Sequence, residues 1–222
     1  MIAFDPFPLG LSLRVATAAT VVAFLIGVPL AWFLARSRFV GKDIVGVLLV
    51  LPMVLPPTVM GYYLLLAVGR QSPIGRALDD LFGSGLVFTP QGAALAAFVA
   101  GVPFLIRAAQ GGFEQVDSTY EEVARTLGRS EWSIFLTVTA PLAWRGILAG
   151  LALCFARAVG DFGTTLMVAG NIPGRTQTAS IAIYDAVQGG RLDQANTLAI
   201  ALSAVAGLML LILTRVGRGG RW

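Results

Sequence analysis

The sequence predicts an all-α, polytopic membrane protein with five transmembrane helices. Three observations lead there. Hydrophobic residues make up 56% of the 222 positions and charged residues only 13%, against about 25% charged in an average soluble domain. Mean hydropathy is +0.79. Four windows of 21, 26, 26 and 21 residues carry no charge: Arg14 to Arg36, Asp43 to Arg70, Asp80 to Arg107, and Asp193 to Arg215.

A helix needs about 20 apolar residues to cross roughly 30 Å of hydrocarbon, so each window is long enough. A fifth apolar stretch runs from Pro141 to Phe162, with Arg145 at its start and Arg157 and Asp161 near its end. The predicted spans are therefore about 11–35, 45–69, 90–109, 142–161 and 195–214, in one domain over residues 1–222. None alternates as a barrel strand would. Backbone amides in lipid must pair internally, so the spans are helices.

The first span does not read as a signal peptide. Met1-Ile2-Ala3-Phe4-Asp5 offers no basic region ahead of it, and Arg36, Arg38 and Lys42 follow it. Lys and Arg number three in the 36–44 loop, four in 107–145 and three after the last span, ten in all. The other side carries four: Arg70, Arg76, Arg175 and Arg191. The positive-inside rule places the ten in the cytoplasm, with the N-terminus outside and the C-terminus inside. The pI near 9.8 then follows from topology and does not call for nucleic acid.

Composition excludes much chemistry. With no His, neither a Ser-His-Asp nor a Cys-His site can form, and no histidine metal site exists. A single Cys154 cannot close an intrachain disulfide or build a zinc site. The single lysine, Lys42, is followed by Asp43 and is not a Walker A lysine. No catalytic residue, metal or cofactor is expected.

Pro29, Pro52, Pro56, Pro57 and Pro103 fall at membrane depth. Each removes a backbone donor. The run Leu51-Pro52-Met53-Val54-Leu55-Pro56-Pro57 is dense enough to break a helix. Broken backbone at that depth must be buried in protein or line a cavity, which makes Pro56 and Pro57 candidates for a pathway element. Gly146 and Gly150 form a GxxxG, but with 26 glycines in the chain a chance match is expected.

All four glutamates lie between residues 114 and 131. The segment reads as two short helices. Ser118 and Glu121 have capping-box spacing. Tyr120, Val123, Ala124 and Leu127 share one face. Gly128 stands where a left-handed cap is wanted. Ser130 can cap a second helix with Trp132, Phe135 and Val138, which Pro141 interrupts. Such a segment either lies on the membrane surface or docks in a groove of a soluble partner.

Glu122-Val123-Ala124, three residues, Gly128, nine residues and Val138-Thr139-Ala140-Pro141 resemble the EAA signature of ABC-importer permeases. Val123, Val138 and Ala140 depart from that consensus conservatively. In such permeases the segment forms coupling helices seated in a cleft of the ATPase. The resemblance implies a type I ABC importer permease fold and a coupling role for the loop 113–140: Glu121, Glu122, Val123, Ala124, Leu127, Gly128 and Pro141. It narrows further. Leu55-Pro56-Pro57-Thr58-Val59-Met60-Gly61-Tyr62, Ala124-Arg125-Thr126-Leu127-Gly128, Ala156-Arg157-Ala158-Val159-Gly160-Asp161-Phe162-Gly163 and Gly170-Asn171-Ile172-Pro173-Gly174-Arg175-Thr176-Gln177-Thr178 are similar to molybdate permeases. Sulfate and tungstate permeases share much of the 157–163 stretch. Asp161 stands where Glu is expected.

Arg157 and Asp161 are four apart and share a helix face. Arg157 lies roughly 24 Å along a helix from Pro141. Ionisable residues at such depth usually face a bundle interior or a water path. Arg157 and the amides near Gly160 and Gly163 could meet a tetrahedral dianion, with Asp161 offsetting the charge so that the place acts as a gate. The alternative is an ion pair near the outer headgroups, with Arg157 snorkelling.

The resemblance implies a permease subunit of an ATP-driven importer, most simply for molybdate, with tungstate or sulfate/thiosulfate as alternatives. Its implied partners are two cytoplasmic ABC ATPase subunits, a second copy of itself, a periplasmic or extracellular oxyanion-binding protein and membrane lipid. Its implied place is the bacterial or archaeal cell inner membrane. A basic cluster able to discriminate oxyanions is not expected in this chain. A secondary transporter would need its own coupling acid and usually inverted repeats. An integral membrane enzyme would need a polar cluster at membrane depth.

Overall fold

A computed structural model describes residues 5–82 and 85–218, and every regular element among them is helical. Arg221 of the basic tail lies outside the described residues. In chain order the helices are α1 Phe7–Arg36, α2 Lys42–Val54, α3 Pro57–Val68, α4 Pro73–Phe82, α5 Pro90–Glu114 and α6 Ser118–Thr126. Then come α7 Glu131–Ile134, a π-helical turn Phe135–Thr139, α8 Ala140–Leu142, α9 Trp144–Val159, α10 Gly163–Ala169, α11 Ala179–Gln188 and α12 Leu192–Arg218.

Three unbroken helices are long and apolar enough to cross a bilayer: α1, α5 and α12. The other two predicted spans are bent pairs, so five crossings are reached only when each pair is counted as one. The 45–69 span is α2 and α3, which meet at 115°. A helix continued through residues 56 and 57 would need two amides that proline lacks, and the residue before a proline avoids the helical region. Leu55 and Pro56 are accordingly extended, at ψ 139° and 136°. By contrast, the helices run through Pro29, Pro52 and Pro103. The 142–161 span is also shorter than predicted. It bends by 78° at Ala143 before α9 and ends at Gly160.

The core lies among α1, α5 and α9. Thr89 caps α5 by accepting the Gly92 amide at 3.1 Å, with Pro90 in the first turn. Ala16, Ala19 and Ala23 of α1 and Ala93, Ala97 and Ala100 of α5 are buried. The α5–α9 contact is closer still. A Cβ on Gly112 would stand 2.9 Å from Gly146 Cα, one on Gly150 would stand 2.8 Å from Leu105 Cδ1, and one on Gly101 would stand 2.9 Å from Cys154 Sγ. Small residues let membrane helices approach in this way. The GxxxG at Gly146 and Gly150 is thus used in packing, contrary to the weight that glycine abundance suggests.

Chain ends sort onto two faces. At one, Arg36 of α1 reaches the 116–121 segment. At the other, Ser12 accepts the Ala179 amide at 2.8 Å, and the Phe88 amide donates to Val168. The end of α1 and the 116–121 segment therefore share one face.

Candidate functional site

Two places gather the residues singled out by sequence. The first is the hairpin of α6 and α7. Its cap differs from the expected one: Asp117, not Ser118, accepts the Thr119 amide, at 2.9 Å. The same bonds hold the Asp117 carboxyl below its ordinary range. Gly128 is left-handed at φ +78°. The Arg129 amide donates to Ala124 O and the Gly128 amide to Arg125 O, the two bonds of a Schellman cap. Ser130 accepts the Ser133 amide, as predicted. Arg125 bonds Glu131 across the turn. That contact lowers the Glu131 carboxyl and raises the Arg125 guanidinium from their ordinary values. Because the carboxyl is lowered on folding, its support is present above the ordinary carboxylate range and is lost only as pH falls through the lowered value.

The hairpin presents an apolar stripe outward. Tyr120 is 60% exposed and Leu127 77%, with Val123, Trp132 and Leu136 also exposed. Glu122, Gly128 and Pro141 are exposed beside it. Two predicted coupling residues point the other way. Ala124 is buried, and so is Glu121. Glu121 Oε1 accepts from Arg36 Nε at 2.9 Å and from Thr139 Oγ1 at 2.8 Å. Arg36 Nη2 also donates to Val116 O at 2.9 Å. Glu121 therefore anchors the hairpin from within. Neither Arg36 nor Thr139 carried a local signal: one is 85 residues away, and the other ends a π turn that its sequence did not announce. On that turn Phe135 is enclosed by Trp32, Trp132 and Phe113, with ring centroids 4.8, 5.2 and 6.1 Å away.

Gly128→Val forces a β-branched residue into a left-handed conformation, costing roughly 1–2 kcal/mol. The expected outcome is a hairpin that no longer holds its stripe in register while the protein still inserts. Protease accessibility of the 118–140 loop in membranes, compared with wild type, checks it.

The second place is where the broken helices meet. α10 packs on α3, and two glycines set the distance. A Cβ on Gly61 would stand 2.6 Å from Met167 Cβ, and one on Gly163 would stand 3.0 Å from Pro57 Cβ. Beside this contact lies a recess of about 490 Å³, lined on one side by Leu55, Pro57 and Thr58 and on the other by Arg157, Gly160 and Asp161. The proline run and the Arg157–Asp161 pair, read separately from sequence, thus face the same space. Pro56 is exposed at the corner between α2 and α3.

Asp161 is more than an ion-pair partner. Its side chain is fully buried. Oδ1 accepts from Arg157 Nη1 at 2.8 Å and from Thr164 Oγ1 at 3.1 Å. Oδ2 accepts the Thr165 amide at 2.8 Å and Thr165 Oγ1 at 2.7 Å. The carboxylate therefore ties the end of α9 to the start of α10. Arg157 keeps 27% of its side chain exposed, towards the recess. The Gly160 amide is bound to Ala156 O, so it is spent within the helix end. Gly160 also meets nothing closer than 3.5 Å at its Cβ position, so of these two glycines only Gly163 packs closely. Sequence reasoning missed Thr164 and Thr165; the signal that could have found them is an Asp just ahead of a helix start, whose side chain can accept nearby amides.

The family described as "Binding-protein-dependent transport system inner membrane component" matches residues 27–218. The chain belongs to that family. Among relatives of this inner membrane component, the "Molybdenum transport system permease protein ModB" of Escherichia coli (strain K12) is 42% identical over 212 residues, 94% of this chain and 93% of the relative. The protein of the same name in Azotobacter vinelandii is 39% identical over 203 residues, 91% and 90% of the two chains. Among solved structures, a chain of the inward-facing MetNI methionine ABC transporter superposes at TM-score 0.74 with 17% identity, covering 97% of this chain and 95% of its own. A chain of the bacterial ABC transporter that imports the acidic polysaccharide alginate gives 0.70 with 15% identity, covering 97% and 79%. The inner membrane component thus shares its fold with ABC importer permeases.

Proposed function

We propose that this inner membrane component is the permease subunit of an ATP-driven importer for a tetrahedral oxyanion, molybdate. The observation that carries the reading is the likeness to molybdenum transport permeases over more than nine-tenths of both chains. The internally anchored hairpin with an outward apolar stripe supports it, because a docking element must be rigid behind and apolar in front. In this reading two copies of the chain enclose the pathway and two cytoplasmic ATPase subunits receive the Tyr120–Leu136 stripe. A soluble binding protein delivers the anion from outside, and hydrolysis belongs to the partner subunits. ATP binding draws the hairpins together and the recess beside Arg157 changes its access.

The test is uptake in cells lacking other molybdate routes. Restored molybdate accumulation on expressing this chain with its ATPase and binding protein is expected. Restoration of sulfate or tungstate uptake instead would replace the substrate while keeping the transporter class.

The proposed orientation has the hairpin face in the cytoplasm. With Cys154→Ala as background, Ser72→Cys should react with an impermeant thiol reagent from outside intact cells and Ser130→Cys should not. Outside labelling of Ser130→Cys reverses the orientation.

A further inference from the structure

Arg70 and Arg175 are far apart in sequence, and the composition suggests no basic cluster that could meet an oxyanion. The fold nevertheless brings them to one recess of about 500 Å³, together with Gln71, Phe88 and Thr89. This recess lies at the C-terminal end of α3, and the recess beside Arg157 lies at its N-terminal end. A 12-residue helix separates them by about 18 Å.

The recess is built from fixed parts. Arg175 sits on a loop whose Ile172 carbonyl accepts the amides of Arg175, Thr176 and Gln177. Thr176 is fully buried and its hydroxyl accepts the Ile172 amide at 3.2 Å. Gln177 donates to Asn171, Asn171 to Asp185, and Arg191 pairs with Asp185 at 2.6 Å. On the opposite wall Phe88 holds φ +60°, a costly conformation for an aromatic residue. Its ring fits because residue 170 is glycine, whose Cβ would stand 2.9 Å away. Strain kept in place by its surroundings marks a shaped site.

The charges suit an anion. Among the described residues no carboxylate pairs with Arg175. Arg70 meets Asp79 only at 3.7 Å, beyond hydrogen-bond distance, and its side chain is 80% exposed. Two guanidiniums, each able to give a bidentate contact to a tetrahedral oxyanion, thus face one pocket with one loosely held acid beside them.

We propose that Arg70 and Arg175 form an outer collecting site that holds the tetrahedral dianion after its release from the binding protein and before it reaches the recess beside Arg157. This deepens the permease reading and rests on it. A basic cleft raises local anion concentration and so the entry rate. It does not require selectivity, which the delivering protein supplies.

The experiment uses the whole complex in proteoliposomes, with saturating molybdate-loaded binding protein. Arg70→Gln with Arg175→Gln should lower uptake about tenfold while the binding protein docks with wild-type Kd. The double lysine variant should keep most of the uptake. Unchanged uptake in the glutamine pair would overturn the proposal. So would a Kd that weakens in step with uptake, which assigns the pair to protein docking. A defect seen only with phosphatidylglycerol in the bilayer would assign the arginines to lipid phosphate, and would also overturn it. Absence of molybdate uptake by the wild-type complex counts against the permease reading alone. The variants are scored relative to wild type on whichever oxyanion it carries.

Discussion

Asp161→Asn should cost the protein about 3 kcal/mol or more and abolish transport. The carboxylate receives four hydrogen bonds, from Arg157, Thr164 and twice from Thr165, at 2.7–3.1 Å and with no exposure of its own. An amide keeps one acceptor and turns a donor toward groups that are themselves donors. It also leaves Arg157 without its counter-charge. Removing one partner of a buried pair typically costs 3–5 kcal/mol, moderated here because Arg157 reaches the recess. The thermal midpoint of the purified complex and oxyanion uptake measure the two effects. Asp161→Glu should be the mildest change, since it keeps the charge and the acceptors. The geometry also rules on a double apolar replacement. Arg157→Leu with Asp161→Leu would be tolerated if the two formed only a pair. It should fail, because Thr164, Thr165 and the Thr165 amide lose their acceptor. Uptake retained by that double variant would remove the knot from the mechanism.

Glu121→Ala is expected to detach the hairpin from the helix core. It strands Arg36, whose guanidinium also holds Val116 O, and leaves Thr139 Oγ1 without an acceptor. A loss of about 3 kcal/mol is expected locally, enough to leave the hairpin mostly undocked although α1, α5 and α9 stay packed. The measurement is ATPase activity stimulated by loaded binding protein, set against basal ATPase activity. Stimulation should vanish while the helical content of the detergent-purified chain is unchanged. Exchange of the charges, Arg36→Glu with Glu121→Arg, should recover part of it. A Glu121→Ala variant with full stimulation would show that the Phe135 anchor suffices alone. Glu122→Ala, by contrast, removes an exposed carboxylate and should leave the hairpin's own stability unaltered, within about 0.5 kcal/mol.

What could be read from the sequence divides along a physical line. Signals carried within one turn of chain were legible. Gly128 at a left-handed cap, Ser130 at a helix start and the Leu55-Pro56-Pro57 break each follow from local backbone chemistry. The long charge-free windows were legible because lipid imposes a length. Their boundaries were less so, since a window without charges does not reveal a corner, and the 45–69 and 142–161 spans both contain one. The burial of Glu121 was not legible because its partner, Arg36, arrives from another element. An acid in an acid-rich loop looks solvent-facing until the fold supplies an arginine from a distant helix. The meeting of Arg157 with the proline run, and of Arg70 with Arg175, rests on packing between distant segments, which no local pattern encodes.

The three close approaches of α5 and α9, at Gly101, Gly112–Gly146 and Gly150, have a mechanical consequence. Each glycine seats a side chain or backbone of the other helix, so sliding would drive Cys154 or Leu105 into the facing backbone. The two helices behave as one stiff beam, loaded at one end by the hairpin and carrying Arg157 and Asp161 at the other. The α2–α3 corner is its opposite in kind. At Leu55 and Pro56 no ladder of hydrogen bonds resists bending, so it is a compliant joint. The recess is the gap between the beam's far end and that joint, so in the proposed mechanism a push on the hairpin should be expressed there as a change in width.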